Sequence, residues 1–142
     1  GHMVQRRDAQ CLYQGIAPHT STPDEQIMVS GTHEPIIDEQ LFKAVQEINE
    51  KKASILYDYL DASNLFNGTV VPKDRSLMNA PFILPTEELN AKFIKEATAA
   101  GFVNLKGHRT VGGMRASMYN AMPVEGVQKL VDFMKKFEME NK

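Results

Sequence analysis

The stretch Gly107–Pro123, GHRTVGGMRASMYNAMP, decides how the chain reads. It joins a His-Arg pair, a Gly-Gly step, a second Arg and a run that alternates like a strand, and a proline then opens the last helical pattern. Arg109 and Arg115 flank the two glycines. Arginine presents a rigid fork of donors that matches carboxylate or phosphate, often through two bonds at once. Gly112 and Gly113 permit backbone angles closed to other residues, so a tight turn can aim both arginines at one ligand. The spacing alone leaves two readings open: an anion clamp, or a surface hairpin with solvated arginines.

Working outward, Met114, Ala116 and Met118 share one face of an extended run, and Arg115, Ser117 and Tyr119 share the other. The methionine face suits a core, which leaves Arg115 on the polar side with two hydroxyls. Pro123 suits a first helical position. Beyond it Val124, Val127, Leu130, Val131, Met134 and Phe137 make an amphipathic stripe, so a helix is expected over 123–139. Upstream, Thr86 followed by Glu87 and Glu88 is a helix start, and Leu89, Phe93, Ile94, Ala97 and Ala100 give a buried face that Gly101 ends. That helix spans 86–100. Asp38 is an N-cap, and an apolar stripe from Leu41 through Leu60, interrupted by Lys52, gives one helix over 39–61 or two that meet near 49–52.

Strand expectations are shorter. LMNAPFIL (Leu77–Leu84) is the clearest, with Pro81 pointing to an edge strand or a bulge. Phe102–Leu105 and Met114–Tyr119 read as strands, Val70–Pro72 as a strand start, and Asn64–Gly68 as a turn. Residues 4–27 are polar and irregular, a loop or frayed hairpin, followed by an apolar run at Ile27–Val29. The expected fold is a two-layer α/β (α+β) arrangement: a small mixed sheet of three or four strands with helices on one face.

Composition bounds the function. The chain has 142 residues, 42% apolar and 24% charged, enough for one domain or a domain with an appendage. A net charge of −2 gives no electrostatic argument for nucleic acid or an anionic membrane. Cys11 is the only cysteine, which excludes an internal disulfide, and the four histidines lack metal-ligand spacing. No apolar run approaches membrane-spanning length and no signal peptide is visible, so a cytoplasmic location is expected. Gly1-His2-Met3 carries no weight.

Two resemblances cross this reading. GHRTVGGMRASMYNAMP with VEGVQKLVDFMKKFE, KDRSLMNAPFILP and NEKKASILYDYLDASNLFNGTV resembles the C-terminal end of the phosphoserine aminotransferases, pyridoxal-phosphate enzymes of serine biosynthesis, over about residues 49–142. That resemblance implies the small domain of a fold-type-I aminotransferase. It implies His108, Arg109 and Arg115 as holders of the substrate's phosphate and carboxylate, and a homodimer with active sites near the subunit interface. The Schiff-base lysine and the cofactor's other partners lie in that family's large domain. The chain is therefore expected to bind no pyridoxal phosphate by itself, to hold a phosphorylated amino acid weakly, and not to transaminate alone.

QIMVSGTHEPIIDEQLFKAVQEI, with GHMVQRR before it, resembles instead the recombinase domain of large serine site-specific recombinases, over about residues 1–48. The organisation expected is an irregular recombinase-like segment over 1–38 and an aminotransferase-like domain over 39–142, with the families joining near 47–52. A DNA-associated recombinase fragment is the alternative function. Its family's catalytic serine and zinc ribbon are missing here, and Arg6 and Arg7 are few against many acids, so nucleic acid is not the expected partner.

Overall fold

The computed structural model describes residues 2–6, 26–30, 36–108 and 112–141. It separates the chain into two compact units, 1–42 and 43–142. In the first, β1 (His2–Arg6) pairs antiparallel with β2 (Gln26–Ser30), from His2 opposite Ser30 to Arg6 opposite Gln26. Of the loop or frayed hairpin expected over 4–27, both ends lie in this antiparallel pair, and the residues between lie outside those described. Asp38 starts α1 (Glu39–Ala62): its Oδ1 accepts from the Leu41 amide at 2.8 Å, satisfying a donor the helix leaves open.

α1 is one continuous helix, not two. Its burial begins only at Asn49, and Leu41 and Ile48 of the expected stripe are exposed. From Ala53 the helix turns Leu56, Tyr57 and Leu60 into the core of the second unit. α2 (Glu87–Ala99) starts at Thr86, whose side chain accepts from the Leu89 amide, and ends before Gly101 at φ 95°. α3 (Val124–Glu140) follows Pro123, which sits one position earlier than expected, at the N-cap with ψ 153°.

Three strands face these helices in the order β3 (Asn67–Gly68), β4 (Asn79–Ile83), β5 (Met114–Ser117). Both pairings are antiparallel, so the sheet is not mixed; β4 is the middle strand and α2 carries the chain back beside it as β5. Pro81 therefore lies in the central strand, against the edge expectation. Its carbonyl accepts from the Thr69 amide, so its missing N–H also points toward β3, past the last paired residue of that two-residue strand. No ladder bond is lost.

Two other expectations fail for local reasons. Asn67 and Gly68 form β3 rather than a turn, while Pro72–Asp74 is a short 3-10 turn rather than strand. Phe102–Leu105 makes no strand because Asn104 takes φ 59°, which breaks the extended run; only Lys106 bridges to Met114.

One face of the sheet is buried. Ala80 and Phe82 of β4 stand with Met114, Ala116 and Met118 under the helices. Phe66, Phe82, Phe93 and Phe137 fill the space between, with ring centroids 5.1–6.1 Å apart and several edge-on pairs. Edge-to-face aromatic packing contributes beyond area burial. At the far end of the core, the buried Glu138 of α3 accepts from Tyr59 Oη and Ser63 Oγ, both at 2.8 Å, and from the Asn64 amide. Burial first, and that bond to Glu138 next, push the Tyr59 phenol well above its ordinary range. No helix among the described residues is long and apolar enough to cross a membrane.

Candidate functional site

Backbone bonds tie Gly107 and His108 to Gly112 and Gly113, just ahead of the strand that carries Arg115. The Gly107 amide donates to Gly113 O at 2.9 Å, and the Gly112 amide to His108 O at 2.8 Å. Below them Lys106 bridges Met114, and the Arg115 amide donates to Leu105 O at 2.8 Å. Glycine is required twice. A Cβ on Gly107 would stand 2.2 Å from Gly112 O, and one on Gly113, at φ 62°, would stand 2.5 Å from Ile83 Cγ2. The loop base is thus packed backbone to backbone, which leaves little freedom in where the loop starts and ends.

His108 is exposed at the mouth of this loop. Arg109 lies outside the described residues. Arg115 belongs to β5 and is exposed, opposite Pro81 of β4. The face split read from the sequence holds: Met114, Ala116 and Met118 are buried, Arg115 and Tyr119 exposed, Ser117 in between. Arg115 follows the His108–Gly112 closure by three residues, past the left-handed turn of Gly112 and Gly113. Pro81 offers the guanidinium nothing to bond, and among the described residues Arg115 forms no ion pair. Ser117 Oγ and Tyr119 Oη both donate to Asn79 Oδ1, at 3.1 and 3.4 Å.

A residue that spacing misread supports this strand from behind. Lys52 interrupts the apolar stripe of α1, yet it is fully buried, and its Nζ donates to Met118 O, Tyr119 O and Met122 O at 3.2, 2.7 and 3.1 Å. Asn49, one turn earlier, donates from Nδ2 to Asn120 Oδ1 at 2.8 Å. Together they hold the turn between β5 and α3. Burial lowers the Lys52 ammonium below its ordinary range, and the three carbonyls replace its water. The sequence signal was there: a lysine inside an otherwise apolar helical stripe needs buried acceptors or an exit to solvent.

Arg75, by contrast, is taken. Its guanidinium forms a two-pronged pair with Asp61, with Nη1 at 2.8 Å from Oδ2, and it lies 4.5 Å from the centre of the Tyr57 ring. Among the described residues no group of three or more His, Cys, Asp or Glu is placed to hold a metal.

Comparison with known proteins finds two likenesses. A family model described as Recombinase matches residues 1–52. The phosphoserine aminotransferase of Bacillus cereus is 60% identical over 99 residues, 70% of this chain and 28% of that protein. The one from Streptococcus suis is 59% identical over 98 residues, 68% of this chain and 27% of that protein. Among solved structures, phosphoserine aminotransferase from Bacillus circulans subsp. alkalophilus superposes with a TM-score of 0.69 at 46% identity, covering 70% of this chain and 28% of that one. A pyridoxal-phosphate-bound phosphoserine aminotransferase from Trichomonas vaginalis does so with a TM-score of 0.59 at 37% identity, covering 68% and 31%. Most of this chain is therefore homologous to part of phosphoserine aminotransferase and shares its fold there. The chain spans less than a third of the length of the relatives it matches.

Proposed function

We propose that this chain carries the substrate-anion-binding portion of a phosphoserine aminotransferase, without the portion that performs the chemistry. The observation that supports it most is the closed Gly107–Gly113 loop, which sets His108 at one position and Arg115 at another along the same hairpin. Donors at two positions of one hairpin suit a ligand with two anionic ends, and phosphoserine has a phosphate and a carboxylate. Arg109, next to His108 in sequence, would add its fork. The substrate class is a phosphorylated amino acid or its keto acid, with glutamate and 2-oxoglutarate as the other pair, in serine biosynthesis in the cytoplasm.

The residues present do not fit pyridoxal phosphate. Its chemistry requires a lysine whose amino group can form a Schiff base, and a partner for the ring nitrogen. Lys52 is the one fully buried lysine among those described, and it is committed to three carbonyls; the others are exposed on helices and loops. No chemical step is assigned to this chain. It binds and orients an anion, and a homodimer or a separate large domain would have to complete the site.

The junction of the two families falls within α1 in this reading, because the Recombinase match runs to residue 52 and the aminotransferase similarity covers 70% of the chain. Asn49 and Lys52 lie inside the Recombinase match and at the start of the aminotransferase resemblance, where the two overlap. The recombinase-like segment brings no argument for DNA at a net charge of −2.

Equilibrium dialysis with labelled O-phosphoserine tests the proposal. The full chain is expected to retain O-phosphoserine but not serine, and Arg115→Ala to weaken retention about tenfold or more, as loss of a charge-assisted bond implies. Equal retention of serine, or a single-turnover conversion of phosphoserine to its keto acid by this chain with added pyridoxal phosphate, would overturn it.

A further inference from the structure

The polar face of the sheet carries a second polar side chain two residues along from Arg115. Asn79 begins β4, directly opposite Ser117 of β5. Its backbone is pinned, with the amide donating to Ser76 Oγ at 3.1 Å. Its side-chain oxygen accepts from Ser117 Oγ at 3.1 Å and from Tyr119 Oη at 3.4 Å. An amide oxygen has two lone pairs, and both are used. What remains is the NH2 group. Asn79 Nδ2 makes no hydrogen bond among the described residues, although the side chain is half-buried.

Its neighbour on that face is Arg115. Arg115 stands opposite Pro81, two residues along from the Asn79–Ser117 pair, so the two lie on a cross-strand diagonal. Such diagonals place Cβ atoms roughly 7–8 Å apart, within the reach of an arginine. Pro81 has no donor or acceptor in its side chain, and Ser117 and Tyr119 give their hydroxyl protons to Asn79. A carboxylate or phosphate held by two guanidinium bonds keeps free lone pairs for further donors. An unpaired amide NH2 fills that need without adding charge.

We propose that Asn79 is a second anion donor beside Arg115, with its amide turned outward by the hydroxyls of Ser117 and Tyr119. This rests on the reading of Arg115 as a substrate-anion holder and extends it. The anion at this end of the hairpin meets one charged and one neutral donor. The hydroxyl pair acts through Asn79: it fixes which way the amide faces and does not itself meet the ligand.

The test is a nitrogen-15 NMR titration of the full chain with O-phosphoserine, following the Asn79 Nδ2 proton pair and the Arg115 Nε–H together. Both signals are expected to move with the same half-saturation concentration. Asn79→Ala should raise that concentration about tenfold, a typical cost for one bond to a charged group. Asn79→Asp, which keeps the shape and the acceptor for both hydroxyls, should raise it further, since a carboxylate there pairs with Arg115 and repels the ligand. Ser117→Ala with Tyr119→Phe should raise it less and broaden the Nδ2 pair, as an amide released from its orienting partners would. Movement of Arg115 with a stationary Asn79 pair, and unchanged binding by Asn79→Ala, would overturn the inference and leave the reading of Arg115 intact. If neither signal moves, both fall. Should Asn79→Ala lose its dispersed spectrum, the wild-type pair and the Asp variant decide.

Discussion

Lys52 shows how a single side chain can support a site it does not touch. Its ammonium is taken out of water, a cost that only close acceptors offset, and it finds three at the end of β5 and in the turn beyond. Replacing it with methionine keeps the stem's volume and removes every donor. Lys52→Met is expected to lower the unfolding free energy by about 1–3 kcal/mol, the usual penalty for stranded acceptors. Urea melts measure this, and an unchanged midpoint would mean that the three carbonyls find water instead. The position was illegible from spacing because a charge in an apolar stripe reads as an interruption. His108, Arg109 and Arg115 stand out in the sequence because the surrounding seventeen-residue stretch resembles one family throughout. Asn79 was not: its role depends on the register that sets it opposite Ser117, and register is a tertiary fact.

Between elements, the ties are few and polar at both ends of a mostly apolar core. Glu138 joins α3 to the end of α1 through Tyr59, Ser63 and the Asn64 amide. Asp61 joins the same end of α1 to Arg75, which leads into β4. The hydrogen bonds from Arg75 hold the Asp61 carboxyl below its ordinary 3.8. A carboxyl depressed in the folded state adds stability above its unfolded value, and that stability is lost as the pH falls through the folded value. Wild type should therefore melt higher than Asp61→Asn above pH 3.8, and the gap should close as the pH is lowered below it. The gap will be small, since the carboxylate is solvent-exposed and screened. Thermal melts over that range check it, and a gap that widens toward acid would contradict the assignment. The helices were readable to within a residue or so because Thr86, Asp38 and the apolar stripes are local signals. The strands were not. β3 is two residues long, Asn104 breaks an apparent strand with one positive φ, and Pro81 is tolerated in the central strand because β3 ends before it.

The second unit, 43–142, holds a core to which all three helices and the sheet contribute, and its polar sheet face carries the candidate site. The chain spans less than a third of the length of the enzymes it resembles. The aminotransferase-like fold and the hairpin's geometry are both in place. The proposed function turns on whether that hairpin recognises an anion. An amide NMR titration with O-phosphoserine, with serine as control, measures this most directly. Shifts confined to His108–Tyr119 and to the start of β4, seen with O-phosphoserine alone, are the predicted result. A well-dispersed spectrum that does not move, or that moves equally with serine, would contradict the claim that this chain carries an anion-binding site.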